Sequence, residues 1–139
     1  LMGRQKFDIN VRAIVFLSQA AVPYMGKGGR IINVSSTVAR MAFPGLAVYS
    51  ASKGAVESLT RVMGIELRDK GIRVNSVAPG PTTTDMFNQN SEELKDAIKA
   101  SYPVGEPSDI ADVVAFLASP ASRWVTGTTL SANNGMVLV

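Results

Sequence analysis

The sequence predicts an α/β fold, a doubly wound parallel sheet with helices on both of its faces. Three observations carry this. Long helical segments alternate with short runs rich in β-branched residues. Those runs, Arg30-Ile31-Ile32-Asn33-Val34 and Ile72-Arg73-Val74-Asn75-Ser76-Val77-Ala78, have the length of buried strands. Glycine or proline turns punctuate the alternation at Gly26–Gly29, Lys70-Gly71 and Pro79-Gly80. Alternation of this kind implies parallel strands sheathed by helices.

Taken in order, Phe7 to about Met25 reads as a helix. It is apolar from Val11 onward but broken by Arg12, Ser18 and Gln19, so it reads as a buried helix and not as a signal peptide. Gly26-Lys27-Gly28-Gly29 stops it. Arg30 to Val34 is a buried strand, and Ser35 to Leu46 is a loop containing Pro44-Gly45. Val48 to about Asp69 is a long helix, closed by Lys70-Gly71. Ile72 to Ala78 is the next strand. A polar stretch from Pro81 to Asn90 leads to a short helix from Ser91 to about Ala100. Pro107 to about Ala118 is helical, with Ser108 or Asp109 as its cap. Gly127 to Ala132 supplies the last strand. No repeat, low-complexity tract or linker divides the chain, so residues 1–139 read as part of one domain.

Composition narrows the chemistry. With 46% hydrophobic residues in 139, the chain can bury a core. It has no cysteine and no histidine. That removes cysteine nucleophiles, serine–histidine triads, Cys/His zinc sites and disulfides. No metal site is expected, and proton chemistry falls to Tyr, Lys or carboxylates. The net charge of +3 is spread without a basic stripe, which argues against nucleic acid. No run of about 18 apolar residues marks a membrane span. The expected location is the cytoplasm. Leu1 in place of methionine suggests a chain that begins partway through a longer one, although Met2 offers a start.

The chemistry-bearing residues are Ser36, Tyr49 and Lys53. Tyr49 and Lys53 are four apart and share a helix face. An ammonium beside a phenol favours the phenolate and lowers the tyrosine pKa from about 10, which suits an acid/base near neutral pH. Ser36 follows a predicted strand, and Pro79 to Thr84 follow another. Ligands in such sheets bind at the carboxyl ends of strands.

Several segments match one family in register. Asn10 lies in Phe7-Asp8-Ile9-Asn10-Val11. Ile31-Ile32-Asn33-Val34-Ser35-Ser36 is followed by Tyr49-Ser50-Ala51-Ser52-Lys53. Val74-Asn75-Ser76-Val77-Ala78-Pro79-Gly80 precedes Thr84, and Trp124-Val125-Thr126-Gly127 runs on towards Gly135. Together these resemble the short-chain dehydrogenase/reductase family in its single-domain, ketoreductase-like form.

The resemblance implies a Rossmann-like domain of which this chain is the carboxyl-terminal part. It also implies an NAD(P)-dependent oxidoreductase that interconverts a carbonyl and an alcohol. In that reading Tyr49 is the acid/base, Lys53 lowers its pKa and binds the nicotinamide ribose, and Ser36 polarises the substrate oxygen. Ser35 is the fallback for Ser36. Asn10 holds a water linking Lys53 to solvent. Pro79, Gly80, Thr82 and Thr84 join Tyr49 and Lys53 at the cofactor, although a turn and a helix cap explain the four equally well. Asn75 pins backbone near its strand end. Asp85 to Tyr102 forms a substrate lid, with Met86 and Phe87 as apolar contacts. The two long helices imply a homo-oligomer, a dimer or tetramer.

Two departures stand out. Asn133-Asn134-Gly135 replaces the usual Asp-Gly-Gly, with stability or assembly the expected casualty. The glycine-rich turn that seats the pyrophosphate is not found, because Gly26–Gly29 follows a helix and precedes a strand, the reverse order. The choice between NAD and NADP is therefore open. The alternative from another class is a truncated, inactive protein that binds a full-length relative.

Overall fold

A computed structural model describes residues 2–138. Its sheet has three parallel strands in the order β1 (Arg30–Val34), β2 (Arg73–Pro79), β3 (Thr129–Ala132). The chain enters through α1 (Met2–Phe7), a π-helical turn at Asp8–Arg12, and α2 (Ala13–Ala21). The crossover from β1 to β2 is α3 (Ala47–Glu66). Between β2 and β3 come α4 (Asp85–Asn88), α5 (Glu92–Ser101) and α6 (Pro107–Ala118).

β2 is the centre of the core. Val74 to Ala78 are all buried, so both faces of the strand are covered. α3 packs on β1 and β2, and α6 packs against all three strands. Val56, Ile72, Val74, Val77 and Leu117 are fully buried between these layers. Polar pairs cross the same interface. Asn33 donates to Thr60 Oγ1 at 2.9 Å, and the Ser76 and Thr129 hydroxyls bond across β2 and β3. Asn75 does pin backbone. Its amide donates to Val125 O at 3.0 Å and accepts from Thr128 N at 3.2 Å.

Several expectations need correction. The first helix begins at Met2, before Phe7, and gives way at Val22–Tyr24 to a 3-10 turn around Pro23. It is not a buried helix. Phe16 is 55% and Leu17 70% exposed, because among the described residues nothing covers that side. β1 is an edge strand and not a fully buried one, with Val34 exposed. A groove of about 580 Å³ runs along it beside Ile14, Leu17 and Met25. The loop from Ser35 contains a 3-10 turn at Thr37–Ala39. α3 stops at Glu66 and a 3-10 turn at Arg68–Lys70 follows, with Gly71 taking the left-handed φ of +73° that ends it. The polar stretch folds into α4. The cap of α6 is Glu106, in a reciprocal capping box with Asp109, which leaves Pro107 as first helical residue. β3 starts only at Thr129.

The Asn133-Asn134-Gly135 departure keeps its turn. Asn133 accepts from Gly135 N at 3.1 Å, and Asn134 takes φ +47°, a left-handed conformation that asparagine tolerates better than most residues.

Gly64 marks a close approach of α3 to the segment before β3. A Cβ there would lie 2.7 Å from the Gly127 backbone, whereas one on Gly54 would meet nothing within 4 Å. Gly64→Ala should therefore lower stability by about 1–3 kcal/mol through overpacking. Gly54→Ala should raise it by about 0.5–1 kcal/mol through helix propensity. Urea denaturation of both variants checks the pair, and a neutral Gly64→Ala would contradict the packing.

Candidate functional site

Parallel pairing in the register Val34↔Val77 brings the carboxyl ends of β1 and β2 to one edge of the sheet. Ser35 extends the ladder, its N–H donating to Val77 O at 2.8 Å. Its side chain turns inward and is buried. Ser36 follows in extended backbone and caps the 3-10 turn, its hydroxyl accepting from Val38 N at 3.4 Å. Among the described residues the O–H of Ser36 has no acceptor, so it is free to donate. Ser35 is therefore the structural serine and Ser36 the available one.

Tyr49 and Lys53 lie on successive turns at the start of α3, both partly exposed. The Lys53 ammonium sits 5.7 Å from the Tyr49 ring centroid. It also donates to Val34 O at 2.8 Å, tying α3 to the end of β1. Burial holds the Lys53 amine below its ordinary 10.5.

Asn10 lies inside the π-helical turn, an insertion that locally widens the helix. Its amide donates to Ser52 Oγ at 3.0 Å, and Ser52 Oγ donates to Tyr49 O at 2.7 Å. Asn10 thus reaches the turn of α3 that carries Tyr49 and Lys53. The structure fastens Lys53 to Val34 O at the end of β1, puts Tyr49 one turn away on α3, joins Asn10 to that turn through Ser52, and has Ser36 two residues beyond Val34.

Pro79 and Gly80 end the neighbouring strand, Gly80 N donating to Ala132 O at 3.0 Å. Thr82 and Thr84 lie further out, and their hydroxyls have local work. Thr82 donates to Gly80 O at 3.0 Å. Thr84 donates to Thr82 O at 3.3 Å and caps α4 by accepting from Phe87 N at 3.4 Å. On α4, in the segment expected to form a lid, Phe87 is buried and Met86 exposed. The Phe43 and Tyr102 rings meet edge to face at 6.2 Å, joining the loop before α3 to the end of α5.

Sequence reasoning missed Glu57. It is buried on the inner stripe of α3 and accepts from the Ser35 hydroxyl and from Arg40 Nε, each at 3.0 Å. The signal was present: Val56, Thr60 and Gly64 share that stripe, and a carboxylate among them needs partners. Among the described residues, no group of three His, Cys, Asp or Glu could hold a metal ion, and no helix is long and apolar enough to cross a membrane.

A family model described as Enoyl-(Acyl carrier protein) reductase matches residues 3–137. The chain is 40% identical over 151 residues to Dehydrogenase OXI1 of Cochliobolus heterostrophus, covering 99% of this chain and 65% of that protein. It is 42% identical over 140 residues to the 3-oxoacyl-(acyl-carrier-protein) reductase FabG of Rickettsia bellii, covering 97% and 58%. Among solved structures, the angucycline C-6 ketoreductase LanV with bound NADP superposes with a TM-score of 0.89 at 40% identity, covering 96% of this chain and 53% of that one. The chain therefore spans between about half and two thirds of the relatives it matches. A single family model over nearly all its residues, and relatives at this identity, establish that the chain belongs to the short-chain dehydrogenase/reductase family.

Proposed function

We propose that residues 1–139 are the carboxyl-terminal part of one NAD(P)-binding domain, which interconverts a small-molecule carbonyl and alcohol in the cytoplasm. The observation that carries this is the convergence at the end of β1. There Lys53 is held on Val34 O, Tyr49 lies one turn away, and the Ser36 O–H is free to donate.

In the reducing direction Tyr49 gives its phenolic proton to the substrate oxygen. Lys53, a cation beside the ring, stabilises the phenolate left behind. Ser36 donates to the same oxygen as negative charge develops on it. Asn10, bonded to Ser52, holds the Tyr49 turn and keeps the water through which Lys53 exchanges protons with solvent. When bound, a nicotinamide dinucleotide would supply the hydride in reduction and take it up in oxidation.

The donor set fits the nicotinamide end of such a cofactor. Lys53 has three N–H donors and commits one to Val34 O, which leaves two for ribose hydroxyls. Tyr49, Pro79, Gly80, Thr82 and Thr84 complete that side. The NADP bound to LanV supports a nicotinamide dinucleotide here, and NADP is the form proposed. The keto-reductions named for the relatives favour a ketone over an enoyl substrate. Exposed Phe16, Leu17, Val62 and Ile65 on α2 and α3 support a homo-oligomer through these helices. A monomer in sedimentation would remove that part.

Two variants of the gene-encoded protein test the site. Tyr49→Phe should lower kcat by at least about 10³-fold while NADPH affinity, measured by fluorescence titration, stays within about twofold. Retained turnover would take Tyr49 out of the acid/base role. Lys53→Met should also lose turnover, with a defined stability signature. The folded chain holds the Lys53 proton more weakly than the unfolded chain, so raising pH towards 10.5 favours the fold. The variant lacks this dependence. Its Tm relative to the parent should be highest near neutral pH and should fall as pH approaches 10.5. A Tm relative to the parent that rises with pH would contradict the burial of Lys53.

A further inference from the structure

Glu57 is 6% exposed and its two oxygens serve two different residues. Oε1 accepts from the Ser35 hydroxyl, and Oε2 accepts from Arg40 Nε, both at 3.0 Å. Ser35 and Arg40 are the residues that bracket the turn 36–39, the turn that begins with Ser36. Both ends of that turn are thus tied to one carboxylate. The Ser35 hydroxyl also lies 3.3 Å from Lys53 O, and the Ser50 hydroxyl donates to Val38 O in the middle of the turn. Arg40 Nη1 goes on to Ser131 Oγ on β3 at 3.3 Å.

Tyr49, Lys53 and Glu57 are spaced four apart and fall along one side of α3. The helix that carries the acid/base pair therefore also carries the clamp on the Ser36 turn. Stability alone is a weak reason for the arrangement. A buried ion pair is often matched or exceeded in stability by apolar residues of the same volume, since both charges must be desolvated. What the pair adds is directional. Ser35 donates to Oε1 while its backbone stays in the ladder with Val77. Arg40 closes the other end through its Nε alone, while its Nη1 reaches Ser131.

We propose that Glu57 is a positioning residue for Ser36. By holding both ends of the turn 36–39, it fixes the Ser36 hydroxyl relative to Tyr49 and Lys53 on the same helix. This rests on the reading of Ser36 as donor to the substrate oxygen.

The test is a double-mutant cycle in the gene-encoded protein, with NADPH and two probe ketones, ethyl acetoacetate and acetoacetyl-CoA. Glu57→Gln keeps the side-chain shape but removes the negative charge opposite Arg40, and only one of its two head atoms can accept, so Ser35 and Arg40 can no longer both donate to it. It should lower kcat about tenfold, as a small misplacement of a reacting group does. It should have no further effect in a Ser36→Ala background. Equal losses in both backgrounds, or no loss, would overturn the role. Full turnover by Ser36→Ala would instead refute the reading of Ser36, and this inference with it. Hydrogen exchange tests the clamp without any substrate. The amides of residues 37–40 should exchange about tenfold faster in Glu57→Gln while those of β2 keep their protection. Unchanged exchange in the turn, or loss of protection spread evenly through the sheet, overturns the proposal.

Discussion

A parallel pair of strands cannot be closed by a tight turn, and in this chain the crossover that joins β1 to β2 is α3. That constraint organises the rest. α3 must begin near the end of β1 and return the chain to the start of β2, so its first turns stand over the edge where β1 ends. Tyr49 and Lys53 occupy those turns, and the Lys53 bond to Val34 O fastens the two elements together. Ser36 leaves β1 two residues after Val34. The site is thus a property of the crossover, and its members come from a short stretch of sequence. Of the four residues proposed for the proton chemistry, only Asn10 arrives from elsewhere, through the π-helical turn and Ser52.

The layer between α3 and the sheet is more polar than that arrangement requires. Asn33 with Thr60, Ser76 with Thr129, and Glu57 with Ser35 and Arg40 all bond within it. Each such bond contributes only about 1 kcal/mol net, but a partner left unsatisfied in this layer costs about 1–3 kcal/mol. The effect is to penalise every wrong register of helix on sheet more than to add stability to the right one. Gly64 reinforces this from the far end of α3, where the helix meets the Gly127 backbone too closely for a side chain. A helix fixed at both ends and along its length holds Tyr49 and Lys53 still.

How much of this was legible depended on the kind of signal. Strand positions were read within a residue or two, because β-branched runs between glycine turns leave few alternatives. Tyr49 and Lys53 stand out as candidates for proton handling because a chain without cysteine or histidine offers few others. Burial was less so. The apolar run from Val11 reads as a core helix, yet Phe16 and Leu17 face outward, since a sequence states that a residue is apolar and not what covers it. The edge position of β1 has the same origin. Pairings of distant polar groups were legible only in part: the stripe of Val56, Thr60 and Gly64 marks Glu57 as a carboxylate in need of partners, but nothing in the spacing names Ser35 and Arg40 as those partners. Thr84 shows the limit from the other side. Its predicted position at the strand edge and its helix-capping hydroxyl are both found, and the cap accounts for what that hydroxyl does in this structure.

We propose that the β1 edge carries out hydride chemistry on a carbonyl, with the proton handled by Tyr49. The most direct measurement is to incubate the gene-encoded protein with ethyl acetoacetate and NADPH deuterated at the transferable C4 position. The product is then examined by mass spectrometry and NMR. Hydride transfer at this edge predicts one deuterium on the new carbinol carbon and an oxygen-bound proton that comes from solvent. A reduced product without deuterium at that carbon, or no reduction of any ketone with either NADPH or NADH, would contradict it.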